Sequence, residues 1–160
     1  MRERFWKNLI NTKFQAYYYI DLAWLIENGD RMINFIIGFV SSASIAAWAL
    51  WDNIPWLWAS IVVVSQIIIV AKPYLPFIKD VNTYIEYSYD LERLYLEYEG
   101  HWHQLEKVDF DGAEEIFKKL RQSELAINEK FKKIQTPDLK ILSSAARRKI
   151  DKFVEIQFPT

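Results

Sequence analysis

At 160 residues, with 20 Lys and Arg against 21 Asp and Glu, the chain has room for one or two small units and no net charge that would draw it to a nucleic-acid duplex. It has no cysteine, which excludes a disulfide framework and a thiolate metal site. Only four glycines occur, and neither a strand-like alternation nor a glycine-rich phosphate loop nor an internal repeat is present, so the expected fold is all-α.

From Glu3 to Asn28 the apolar positions Trp6, Leu9, Ile10, Phe14, Tyr17, Tyr18 and Leu25 recur at steps of three and four. Arg2, Arg4, Lys7 and Lys13 are interleaved near the start, a pattern without the short apolar core and small-residue cleavage site of a secretory signal. This N-terminal segment, 1–30, reads as an amphipathic helix lying at a membrane interface, or alternatively packed on the rest of the protein. Asn28-Gly29-Asp30 predicts a helix stop followed by a new N-cap.

Two apolar stretches follow, 32–51 and 54–71, with only Asp52 and Asn53 between them. At about 1.5 Å per residue, eighteen to twenty residues approach the roughly 30 Å of a hydrocarbon core, so 31–72 reads as a transmembrane hairpin. Arg31 before it and Lys72 and Lys79 after it predict both termini on the cytoplasmic side of a bacterial inner membrane. Trp48, Trp51, Trp56 and Trp58 cluster about the turn as expected interface anchors. Asn34, Gly38, Ser42 and Ala46 form a small and polar stripe on the first stretch. Ser41 and Ser42 lie at the sequence depth of Ser65 and Gln66 on the second. These residues read either as close helix packing or as the lining of an uncharged pore in a homo-oligomer.

The remainder, 73–160, reads as a three-helix unit after a proline elbow at Pro73 and Pro76. Asp80 opens a helix with a heptad seam of Val81, Tyr84, Ser88, Leu91, Tyr95, Tyr98, Trp102 and Leu105. A turn at 109–112 and a near capping box of Asp111 and Glu114 open the next, which carries Ile116, Phe117, Leu120, Ile127, Phe131 and Ile134. Thr136 and Pro137 are the expected N-cap and first turn of the last, whose apolar face is Leu139, Leu142, Ala146, Ile150 and Phe153.

Charge divides this unit. From 80 to 115 there are eleven acidic residues and two basic, and from 116 to 155 eleven basic and five acidic. Three basic clusters, Lys118, Lys119 and Arg121, then Lys130, Lys132 and Lys133, then Arg147, Arg148 and Lys149, predict a site for a phosphorylated small ligand if their helices converge. Otherwise they are solvated faces paired with the acidic helix or with lipid headgroups. No arrangement of nucleophile, base and orienting partner is recognisable, so the chain reads as a non-enzyme without cofactor. His101 and His103 are two apart and face different ways on a helix, which excludes an i, i+4 metal pair. Arg93 and His101 are also too far apart in sequence for a helical ribonuclease motif.

The stretch INFIIGFVSSASIAAWALW, its short acidic turn and the helices on either side, from about Asn11 to Leu105, resemble in layout the two-transmembrane SLATT effectors of bacterial antiviral defence. That resemblance implies a membrane-bound homo-oligomer that forms a pore when a companion enzyme makes a nucleotide-derived signal. Membrane effectors attached to CRISPR systems, which sense cyclic oligoadenylate, are similar in layout as well. The expected partners are therefore the lipid bilayer, further copies of the chain, and a cyclic nucleotide or a soluble defence protein. A non-conducting anchor that recruits a soluble partner, and a holin-like prophage protein, are the alternatives.

Overall fold

The computed structural model describes residues 1–46, 55–71, 80–134 and 136–158, with side chains described for all of these except 40–46, 55, 57 and 58. Among the described residues there are five α-helices and no strand: α1 (Arg2–Ala46), α2 (Pro55–Ala71), α3 (Val81–Trp102), α4 (Phe110–Lys130) and α5 (Lys140–Gln157), with a 3₁₀ turn at Leu105–Lys107 before α4. Two compact units divide the chain: one is Met1–Ala23 with Asn82–Thr160, the other Trp24–Val81.

The first unit is a four-helix assembly, because the first half of α1 is part of its core. Phe5, Leu9, Thr12, Lys13, Ala16, Leu22 and Ala23 are buried at helical spacing. Phe5 and Leu9 pack with Leu94, Tyr95 and Tyr98 of α3 and Phe117 and Leu120 of α4. The Phe5 ring meets Tyr98 edge-on, with centroids 6.1 Å apart, and lies 5.2 Å from Phe117. A second cluster joins Ala16, Tyr87, Leu91 and Phe131. The seam expected on α3 is the buried face for Tyr84, Ser88, Leu91, Tyr95 and Tyr98, and Tyr87 and Leu94 widen it. Of the segment 1–30, residues 1–23 follow the alternative reading and pack in the bundle, while 24–30 belong to the other unit.

Three boundaries differ from expectation. α1 continues through Asn28-Gly29-Asp30, where no residue has positive φ. Side chains bridge each turn there: Asn28 donates to the Trp24 carbonyl, Arg31 pairs with Glu27, and Asn34 donates to Asp30 at 2.9 Å. A glycine stop requires a left-handed residue, and this backbone does not adopt one. The cap of α4 is Asp109 and not Asp111: its carboxylate accepts from the Gly112 amide at 3.1 Å, and the helix begins at Phe110. Thr136 and Pro137 lie outside α5, which starts at Lys140. Their polar groups are engaged by tyrosines of α1. Tyr18 donates to the Pro137 carbonyl and accepts from the Leu139 amide, and the Tyr19 hydroxyl lies 3.2 Å from that of Thr136.

In the second unit the transmembrane hairpin is corrected. Among the described residues no helix is long and apolar enough to cross a membrane. α2 is apolar, but its 17 residues rise only about 25 Å, short of the roughly 30 Å required. α1 is long, but Asp30 and Arg31 precede its apolar stretch, and Met32 to Ala46 rises about 22 Å. The all-α class stands, while the membrane protein, its multi-pass inner-membrane location with cytoplasmic termini, and the pore have no spanning element among the described residues. Many apolar side chains of this unit are nonetheless exposed, among them Met32, Phe35, Phe39, Trp56, Val63, Val64, Ile67 and Val70.

Candidate functional site

A broad concavity lies within the first unit, an open cleft of about 990 Å³ lined by residues of α1, α4 and α5. From α1 the spacing that buries Phe5 and Leu9 turns the neighbouring stripe of Arg4, Lys7, Asn8, Asn11 and Phe14 toward this cleft. Phe117 and Arg121, one turn apart on α4, form a second wall. On α5, Ile150 is buried and carries Arg147 and Asp151 to the cleft on the same face.

The cleft is lined by four cations, Arg4, Lys7, Arg121 and Arg147, and two carboxylates, Glu3 and Asp151. The Arg121 guanidinium is fixed through one nitrogen, Nη1, which donates to Glu124 at 2.5 Å and to Asn8 at 3.2 Å. The Arg4 guanidinium lies over the Phe117 ring, 4.7 Å from its centroid, which orders the side chain without using its donors. Among the described residues neither Lys7 nor Arg147 enters an ion pair, although Glu3 and Asp151, each one turn away along the same helix, line the cleft with them. Beneath them, burial pushes the Tyr98 hydroxyl up to about 12, with the Glu124 carboxylate adding to the effect and Arg121 opposing it.

The three basic clusters expected from the sequence do not form one site. Lys118 and Lys119 pair along α4 with Glu114 and Glu115, at 3.4 and 3.0 Å. Lys130 bridges to Glu86 and Asp90 of α3, at 2.6 and 2.9 Å, and these carboxylates raise its pKa. Lys149 pairs with Asp21 of α1 at 2.5 Å, while Lys132, Lys133 and Arg148 are exposed away from the cleft. Of the nine residues in the three clusters only Arg121 and Arg147 line the cleft, one from the first cluster and one from the third. Arg4 and Lys7 were not among the expected ligands, although their i, i+3 spacing beside Trp6 and Ile10 was there to be read.

A separate ionic group is structural. The Lys13 ammonium, with its side chain 9% exposed, pairs with Glu92 and lies 4.1 Å from the Tyr95 ring centroid, with Tyr17 and Phe153 also around it. Tyr95 donates to Glu99, and burial and that carboxylate hold its hydroxyl well above the ordinary tyrosine range.

Of the residues singled out in the apolar stretches, Ser41, Ser42, Ala46, Trp48, Trp51 and Trp58 have side chains outside the described set. Asn34, Gly38 and Gln66 are exposed, and Trp56 is 70% exposed. Ser65 is buried, and its hydroxyl returns to the Ile61 carbonyl of its own helix at 2.8 Å. Among the described residues no cluster of three or more His, Asp or Glu is arranged to hold a metal ion. Compared with protein-family models, with curated proteins and with solved structures, the chain matches none.

Proposed function

We propose that the first unit is a sensing module that binds a small phosphorylated ligand in the cleft between α1, α4 and α5, a binding role without catalysis. The observation that carries this reading is the convergence of Arg4, Lys7, Arg121 and Arg147 on one concavity. The four cations lining this concavity outnumber its two carboxylates, Glu3 and Asp151, which gives it a net positive charge, whereas Lys118 and Lys119 each pair with a carboxylate one turn away on an exposed face. In the setting that the antiviral resemblance implies, such a ligand is the signal of a companion enzyme, and the module is its receptor.

Calorimetric titration of the full chain with inorganic tripolyphosphate tests the reading. Binding that weakens at least tenfold in Arg121→Gln/Arg147→Gln, but is unchanged in Lys118→Gln/Lys119→Gln, is the expected result. Absence of binding, or equal loss in both variants, overturns it. Helicity of each variant by circular dichroism separates a lost site from a lost fold.

The second unit supports a further reading, self-association. Along α2, Pro55 to Ala71 has no charged residue, and the Ser60 and Ser65 hydroxyls both bond to carbonyls of their own helix. Met32, Phe35, Phe39, Trp56, Val63, Val64, Ile67 and Val70 are each more than half exposed. At on the order of 100 Å² apiece they amount to roughly 800 Å², the share one partner contributes to a standard protein interface. The occupant that matches a chargeless surface of this kind is the same surface on a second copy.

A further inference from the structure

The basic cleft does not end at its cations. Trp6, Ile10, Ile150 and Asp151 line both it and an adjoining concavity of about 530 Å³, whose other walls are Val154, Glu155 and Phe158 of the α5 end. The two form one groove whose chemistry changes along its length: four cations with the Glu3 carboxylate at one end, an aromatic and aliphatic surface at the other, and the Asp151 carboxylate where they join. Trp6 belongs to an aromatic cluster in which the His103 ring also stacks on Phe158, with centroids 6.2 Å apart. Its indole meets Phe158 edge-on at 4.8 Å and lies 5.3 Å from Trp102, yet it remains partly exposed to the groove.

We infer that this groove takes a nucleoside polyphosphate, with the base against Trp6 and Phe158, the sugar hydroxyls on Asp151 and the phosphates among Arg4, Lys7, Arg121 and Arg147. The inference rests on the anion-binding reading above and gives the ligand its class and direction. A bare phosphate chain fills only the cationic end and leaves the aromatic surface unused. A planar ring system stacks on the indole, as bases do on aromatic platforms. Asp151 repels a phosphate but accepts hydrogen bonds from hydroxyls, so the part of the ligand that passes it carries donors. Glu155 at the far end, unlike Glu3, has no cation lining the groove beside it, so it repels phosphates and offers an acceptor to an exocyclic amino group.

Titration of the full chain with ATP and GTP, beside tripolyphosphate, tests this. The expected result is at least tenfold tighter binding of one nucleotide than of tripolyphosphate. Asp151→Ala removes repulsion and both acceptor oxygens together, so it should weaken the nucleotide severalfold while leaving tripolyphosphate unchanged or tighter. An electrostatic role alone would strengthen both. Trp6→Leu should weaken the nucleotide tenfold without affecting tripolyphosphate. If tripolyphosphate binds and neither nucleotide binds more tightly, the nucleotide assignment falls while the anion site stands. If no probe binds, both fall.

Discussion

Tyrosines account for much of the core of the first unit, and their hydroxyls make its stability depend on alkaline pH. Tyr87 donates to Asn128 at 2.7 Å, and burial, with Tyr19 and Glu124 adding to it, pushes its pKa up to about 12. Tyr98 is likewise pushed up to about 12. A group whose pKa is higher folded than unfolded binds its proton more tightly in the native state. That contribution is complete below the unfolded value of about 10 and is lost as the pH rises through 12. Urea midpoints should therefore be level from pH 8 to 10 and fall steeply between 10 and 12, with tyrosinate absorbance at 295 nm rising along with unfolding. Ionisation of all nine tyrosines near pH 10 in the folded chain would contradict this. Lys13 supplies the second test at this scale. Replacing it with Met keeps much of the packing against Tyr95 and Phe153 but leaves Glu92 without its cation. Breaking a fully buried pair costs about 3–5 kcal/mol, and since Glu92 is 39% exposed the expected loss is smaller, about 1–2 kcal/mol. Glu92→Gln in the same background should restore part of it, and two simply additive losses would show that the pair is not coupled.

Helix interiors were legible in this sequence and helix ends were not. The buried faces of α3, α4 and α5 follow from apolar spacing, since Leu91, Tyr95, Phe117, Leu120, Ala146 and Ile150 have no other way to leave water. Ends are decided by competition for a few backbone groups. Asn28-Gly29-Asp30 has stop-signal composition, yet the i, i+4 side-chain bonds across it cost α1 nothing to keep. Thr136 and Pro137 have start-signal composition, yet Tyr18, more than a hundred residues away in sequence, takes the groups a cap would use. At the start of α4 the competition was between two aspartates, and the backbone chose Asp109. Asp109→Ala should cost about 1 kcal/mol, measured by urea unfolding, and Asp111→Ala much less. Gly112 makes the assignment sharper. A Cβ there would lie 2.7 Å from Asp109 Oδ1 and 2.9 Å from Val108 Cγ1, so Gly112→Ala should destabilise the chain although alanine is by far the better helix former. A stabilising Gly112→Ala would show that the cap is not held in this way.

At the scale of the whole molecule, the basic excess of the second half was legible but not its fate. Charge counts cannot tell that Lys130 and Lys149 are spent on Asp90 and Asp21, or that the open side of the first helix lends Arg4 and Lys7 to Arg121 and Arg147. The apolar stretches were legible as well, but hydropathy alone does not say what covers them. In the self-association reading, burying Phe35, Phe39, Ile67 and Val70 across a dimer removes on the order of 100 Å² each from water, about 2–3 kcal/mol per side chain. Sedimentation velocity across a hundredfold concentration range should then show a dimer or larger species for the native chain. Phe35→Asp/Ile67→Asp should shift it toward monomer, because each carboxylate would have to be desolvated against its own kind. Helicity should be retained, since both side chains are exposed in the single chain. Salt separates the two surfaces of the molecule: raising it to 0.5 M should leave this association intact or strengthen it, while weakening tripolyphosphate binding in the cleft severalfold. Association that dissolves in salt, or that persists unchanged in the double aspartate variant, would place the contact on the charged helices and not on the apolar residues of 24–81.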